Sequence, residues 1–170
     1  MRTTKIEWTD KTWNPITGCS KKSTGCQHCY AEVMSRRLKA MGLSKYANGF
    51  SVTLHDELIN EPYKWKQSHN IFVCSMSDLF HKNVPFEFID QVLNVIKNTP
   101  QHNYKILTKR ADRIAEYFSS RNIPPNAWFG VTVEVARTKS RIDFIRNLHA
   151  PIRFISCEPL LEDLGELDLI

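Results

Sequence analysis

The chain has 170 residues, 42% of them hydrophobic, with 23 Lys and Arg against 18 Asp and Glu, a formal surplus of five spread along its length and not gathered into a tail. That size and apolar content support a single domain, residues 1–170, with a core of its own, and exclude a disordered or low-complexity protein. The opening Met1-Arg2-Thr3-Thr4-Lys5-Ile6-Glu7-Trp8 holds no apolar run of signal-peptide length, and no later stretch is long enough to cross a bilayer, so a cytoplasmic protein with no membrane partner is expected.

A first strand is expected around Ile6 to Trp13, followed by a polar segment, 14–32, that carries Cys19, Cys26 and Cys29. Behind it Met34, Leu38 and Met41 recur at helical spacing. Strands are then expected at Val52 to Leu54, Ile71 to Cys74, Tyr104 to Leu107, Trp128 to Val133 and Ile152 to Ser156. Between them lie the helix-period sets Ile89, Val92, Leu93 and Ile96; Ile114, Tyr117 and Phe118; and Ile142, Ile145 and Leu148. This βα rhythm predicts an α/β fold, a partial (β/α)6-type, TIM-like barrel of six parallel strands whose ligands bind beyond the carboxyl ends. Four strands run into polar groups there: Ser75-Met76-Ser77-Asp78, Thr108-Lys109-Arg110, Thr132-Val133-Glu134 and Ser156-Cys157-Glu158. Each of these residues serves equally as a helix cap or as a ligand contact.

The cysteine spacing, Cys-x6-Cys-x2-Cys, is the clearest chemical feature. Five cysteines, three of them clustered, argue against a disulfide framework and for ligand or redox chemistry. Three thiolates can hold an iron-sulfur cluster and leave one iron open to a further ligand. Gly18 and Gly25 let the backbone approach such a group closely. The competing reading is a structural Cys3His zinc site completed by His28. His28 and Cys29 are neighbours, a poor chelating pair, and the loop leads into a helix of a βα array, so the cluster is preferred. Cys74 and Cys157 end apolar runs and are read as inert core residues.

The cysteine loop with Tyr30-Ala31-Glu32, together with Ser75-Met76-Ser77-Asp78-Leu79-Phe80-His81, Leu107-Thr108-Lys109-Arg110, Trp128-Phe129-Gly130-Val131-Thr132-Val133-Glu134 and Ser156-Cys157-Glu158-Pro159-Leu160-Leu161, resembles a phage- and prophage-associated three-cysteine-motif family of uncharacterised proteins. That family resembles the radical S-adenosylmethionine enzymes. The resemblance implies a [4Fe-4S] cluster on Cys19, Cys26 and Cys29 whose open iron binds S-adenosylmethionine. Reductive cleavage would then give methionine and a 5′-deoxyadenosyl radical that takes hydrogen from a substrate. It also implies an electron donor as a partner, Tyr30 beside the cluster, and Ser75, Asp78, Thr108, Lys109, Glu134 and Glu158 lining the cofactor and substrate space.

Three departures accompany it. Six residues, not three, separate the first two cysteines; His28 stands where an aromatic precedes the last cysteine; and His55-Asp56-Glu57 lacks the usual glycine-bearing acidic motif. Relatives continue past Leu161, which implies a shortened copy or fragment, with self-association or a partner protein at the exposed last strand. A degenerate enzyme and a non-catalytic zinc-stabilised phage protein are the alternatives. A nucleic-acid or nucleotide substrate is a secondary expectation, with Lys21, Lys22, Arg36 and Arg37 as phosphate contacts or a solvated face.

Overall fold

The computed structural model describes Thr4 and residues 6–169. Seven strands are present among them: β1 (Lys11–Trp13), β2 (Ile16–Thr17), β3 (Thr53–Leu54), β4 (Asn70–Val73), β5 (Asn103–Thr108), β6 (Ala127–Thr132) and β7 (Ile152–Ser156). The helices are α1 (Tyr30–Ala40), α2 (Asp56–Ile59), α3 (Phe86–Lys97), α4 (Ala111–Phe118) and α5 (Arg141–Arg146). Five strands form one parallel sheet in the order β1-β4-β5-β6-β7. None of the described helices is long and apolar enough to cross a membrane.

Register explains the packing. Ile71, Tyr104 and Ala127 lie in one row of the sheet, and Val73, Ile106 and Phe129 in the next. Both rows bury against Phe88, Ile89, Val92 and Ile96 of α3, Ile114 and Tyr117 of α4, and Ile142 and Ile145 of α5. Each such side chain contributes roughly 1.5–3 kcal/mol when fully buried, more than any helix propensity among these residues. α3 follows Pro85, with Glu87 in its first turn, and the Thr99 hydroxyl beyond its end bonds the Val95 carbonyl at 2.7 Å. Asn126 ties three further carbonyls together, those of Ile96, Thr99 and His102.

The opposite face carries Phe72, Lys105, Trp128 and Ile152 in one row. Lys105 Nζ stands 5.4 Å from the Trp8 ring and 5.1 Å from the Trp128 ring, and Trp8 packs on Phe72 at 4.7 Å, so the N-terminal segment covers this end of the face. This use of Trp8 shortens the first strand to Lys11–Trp13, where Ile6 to Trp13 was expected.

Three expectations are corrected. The parallel sheet has five strands, not six; among the described residues it is open, ending at β1 and β7 without closing into a barrel. The run Val52 to Leu54 leaves the sheet and pairs antiparallel with β2, Ile16 opposite Leu54 and Thr17 opposite Thr53. It supplies only two ladder residues, and its partner is the chain entering the cysteine loop. The stripe on α1 is also not a sheet-covering face. Ala31 and Ser35 are its buried residues, Ala31 packing with Tyr46 and Met76 and Leu38 partly buried against them, whereas Met34 and Met41 are exposed.

Candidate functional site

The cysteine loop starts at Gly18, in the left-handed region at φ 77°, where a Cβ would stand 2.2 Å from the Ser51 carbonyl oxygen. Gly18 N donates to Met76 O at 3.1 Å, Cys19 N to Phe50 O at 3.1 Å, and Ser77 Oγ to Gly18 O at 2.6 Å. Gly18→Ala is therefore expected to cost more than about 2 kcal/mol, the left-handed penalty plus the clash, as measured by urea denaturation.

From there the loop crosses the carboxyl ends of three adjacent strands. Beyond β4 and β5 it meets a buried polar network centred on Asp78. The Asp78 carboxylate accepts from Thr108 Oγ1 at 2.6 Å, Phe80 N at 3.0 Å and Lys109 N at 3.2 Å. Burial raises its pKa above the ordinary carboxylate value, opposed by these donors and by Arg110. Arg110 Nε lies 3.9 Å from Asp78, a charge contact too long for a hydrogen bond, while Arg110 Nη2 holds Ser20 O at 3.1 Å and Ser20 Oγ at 3.0 Å. Cys19 sits in this field. Its thiol is pushed up to about 11, by burial first and Asp78 second, against Arg110. It is thus protonated at neutral pH, and any metal bound there would have to displace the proton.

His81 completes the network. Asn83 N donates to His81 Nδ1 at 3.1 Å, so neutral His81 carries its proton on Nε2 and donates to Ser20 Oγ at 2.7 Å. Burial, then Arg110, pushes its pKa down to about 4. Between that value and its ordinary 6.5 the unfolded chain binds a proton that the folded protein refuses, so stability falls as pH drops through this window. The expected loss is about 2–3 kcal/mol on going from pH 6.5 to pH 4. His81→Asn keeps an acceptor for Asn83 N, and the slope it loses relative to the unsubstituted chain, in urea melts at both pH values, measures the effect.

Beyond β6 the loop is clamped again. Ser23 Oγ donates to Glu134, which is fully buried and pairs with Arg141 at 2.6 Å. Gly25 passes so close that a Cβ would lie 3.1 Å from the Glu134 side chain. Arg137 Nη2 donates to Thr24 Oγ1 at 2.6 Å. Cys29 precedes α1, and the Tyr30 hydroxyl donates to the Ser75 carbonyl. Although the Tyr30 side chain is largely exposed, its hydroxyl is tucked in, and burial with the Cys29 thiol nearby pushes it up to about 12. Ser75 Oγ in turn donates to Asn14 Oδ1 at 3.1 Å.

The expected site residues thus separate into groups. Asp78, Thr108 and the Lys109 backbone meet at Cys19; Tyr30 and Ser75 meet beside Cys29; and Glu134 lies beneath Ser23 and Gly25. Glu158 is exposed past β7. Cys19, Cys26 and Cys29 are all half-exposed free thiols, and Cys74 is buried. Among the described residues no three His, Cys, Asp or Glu side chains are gathered around one point as ligands of a single ion.

Sequence reasoning missed Ser20, His81 and the part played by Arg110. Strand alternation carried a signal for the last: Tyr104, Ile106 and Thr108 are the buried positions of β5, and Arg110 continues their period, while Lys109 falls on the other side. Cys74 is buried as expected but stands in the left-handed region at φ 59°, a conformation costing about 1–3 kcal/mol that only the tertiary structure imposes.

No curated protein and no solved structure matches the chain. A family model, described as protein of unknown function (DUF5131), matches residues 3–170. With its cysteine loop, its strand-end motifs and its whole sheet inside that match, the chain belongs to the DUF5131 family.

Proposed function

We propose that the chain is a radical S-adenosylmethionine enzyme in which Cys19, Cys26 and Cys29 hold a [4Fe-4S] cluster, a group that supplies, when bound, the electron for reductive cleavage of the sulfonium. The observation that carries this reading is the placement of three free thiols in one loop fastened across the carboxyl ends of β4, β5 and β6. The sequential order of parallel strands is that of an opened barrel, which supports the partial-barrel architecture over a doubly wound sheet.

In this reading the chain's own residues have distinct tasks. Arg110 and His81 fix Ser20 and with it the backbone beside Cys19, and Glu134 and Arg137 fix the stretch before Cys26. Tyr30 orients the start of α1 against Ser75. The side chains of Lys109 and Glu158 are left at the mouth for cofactor or substrate. A reducing cytoplasm suits the free thiols, and the phage and prophage setting belongs to the same reading. The test is to incubate the iron-loaded, reduced protein with S-adenosylmethionine. Equal amounts of methionine and 5′-deoxyadenosine are expected, and a loaded, reduced protein that leaves the sulfonium intact would overturn the assignment.

A further inference from the structure

The surface of α1 breaks the pattern of the other long helices. Tyr30 (59% exposed), Val33 (66%), Met34 (40%) and, at the C-cap directly after the helix, Met41 (64%) form a single exposed stripe, with Arg37 inside it. Scattered exposed apolar residues need no explanation, but four large ones at helical spacing on one face do. The charge around them is equally uneven. Residues 19–45 hold Lys21, Lys22, Arg36, Arg37, Lys39 and Lys45 against Glu32 alone; Lys21 and Arg36 pair with Glu32 and Lys22 with Asp112, which leaves Arg37 and Lys39 as the helix cations with no ion pair among the described residues. The opposite charge is gathered at the other end, where the segment 158–168 carries Glu158, Glu162, Asp163, Glu166 and Asp168 and no basic residue of its own, Asp168 pairing with Arg146 at 3.2 Å. Leu160 and Leu161 beside them are 59% and 49% exposed.

Both surfaces belong to the same end of the sheet. Tyr30, the first residue of α1, bonds Ser75 beyond β4, whereas Leu161 N bonds Glu134 O at 3.0 Å and Ala136 N bonds Glu162 Oε1 at 2.6 Å beyond β6. With β5 alone between those strands, the two anchor points lie about 10 Å apart, two strand spacings. A basic, apolar stripe and an acidic, apolar segment thus stand side by side at the mouth that the cysteine loop occupies.

We propose that these surfaces pair between two copies of this chain, the α1 stripe of each receiving the 158–168 segment of the other about a two-fold axis. Such an arrangement is isologous, so both complementary contacts form at once and the assembly closes at two. It buries the exposed stripe and covers the cysteine loop, whatever the cysteines hold. A nucleic acid is the poorer occupant of the stripe. Lys21 and Arg36 are engaged with Glu32, Lys22 lies 3.8 Å from Asp112, the Tyr30 hydroxyl is committed to Ser75, and the remaining apolar members are aliphatic or thioether groups, not stacking platforms.

The test is sedimentation velocity of the purified metal-free chain over a wide concentration range at low and high salt. A dimer that weakens with salt is expected. Val33→Glu with Met34→Glu, both exposed and therefore harmless to folding, should weaken it at least tenfold. Arg37→Glu with Lys39→Glu should be monomeric, as should Glu158→Lys with Glu166→Lys. Mixing these two charge-reversed chains should restore a one-to-one dimer, because the reversed stripe of one then faces the reversed segment of the other while their two native surfaces also pair. A chain that is monomeric throughout, a dimer indifferent to the α1 substitutions, a mixture that stays monomeric, or a monomer whose Arg37 instead confers salt-dependent binding of a single-stranded oligonucleotide would each overturn the proposal.

Discussion

Replacing Cys26 by alanine is expected to reduce iron and sulfide after anaerobic loading from about four of each per chain to background. The thiol is half-exposed at the end of a short turn whose hydrogen bond, Cys26 N to Ser23 O at 3.0 Å, uses the backbone and survives the substitution. The anchors on either side, Ser23 to Glu134 and Thr24 to Arg137, do not involve Cys26 either. Folding stability should therefore change by less than about 0.5 kcal/mol while cluster loading is lost. Cys157→Ala is the matched control. Cys157 lies past β7 and packs against the main core, so its loss should leave the iron count unchanged. Equal loss of iron in both variants would show that the ligands are misassigned.

The second large effect is expected at Asp78. Asp78→Ala removes the acceptor shared by Thr108, Phe80 N and Lys109 N and leaves Arg110 buried without its charge partner. Removing one member of a buried charge pair costs about 3–5 kcal/mol. Because Arg110 also holds Ser20 beside Cys19, the damage should extend to the loop, with cluster loading impaired even below the unfolding temperature. Asp78→Asn retains one acceptor oxygen and should lose less. Urea denaturation of the three proteins separates these cases, and a cost below about 1 kcal/mol for the alanine variant would show that the network does not hold the loop.

Much of this architecture is legible in the sequence because one physical signal dominates each part. The strands β4 to β7 fall within one or two residues of the apolar runs that mark them, since a strand buried on a parallel sheet has few ways to satisfy both its backbone and its side chains. The stripes of α3, α4 and α5 are buried as their period predicts. The polar ends of β4, β5 and β6 meet the cysteine loop, and the fourth, at Glu158 past β7, is exposed. What the sequence does not reveal is which partner an element chooses. The run at Val52 to Leu54 looks like any other strand, yet it is used to fasten the loop entrance. Met34 and Met41 have the right spacing for burial, but periodicity shows only that an apolar stripe exists and not what covers it. Likewise, an uneven charge distribution becomes visible as a surface only when residues 19–45 and 158–168 are brought to one end of the sheet. His81 and Ser20 are found only in three dimensions, since 61 residues separate them.

The most direct measurement is the metal and sulfide content of the purified chain after anaerobic loading with iron and sulfide, together with its visible absorbance. A brown protein with about four irons and four acid-labile sulfides per chain, absent from Cys19→Ala, Cys26→Ala and Cys29→Ala alike, is the predicted result. One zinc per chain with no sulfide, or thiols that stay free under the same conditions, would contradict it.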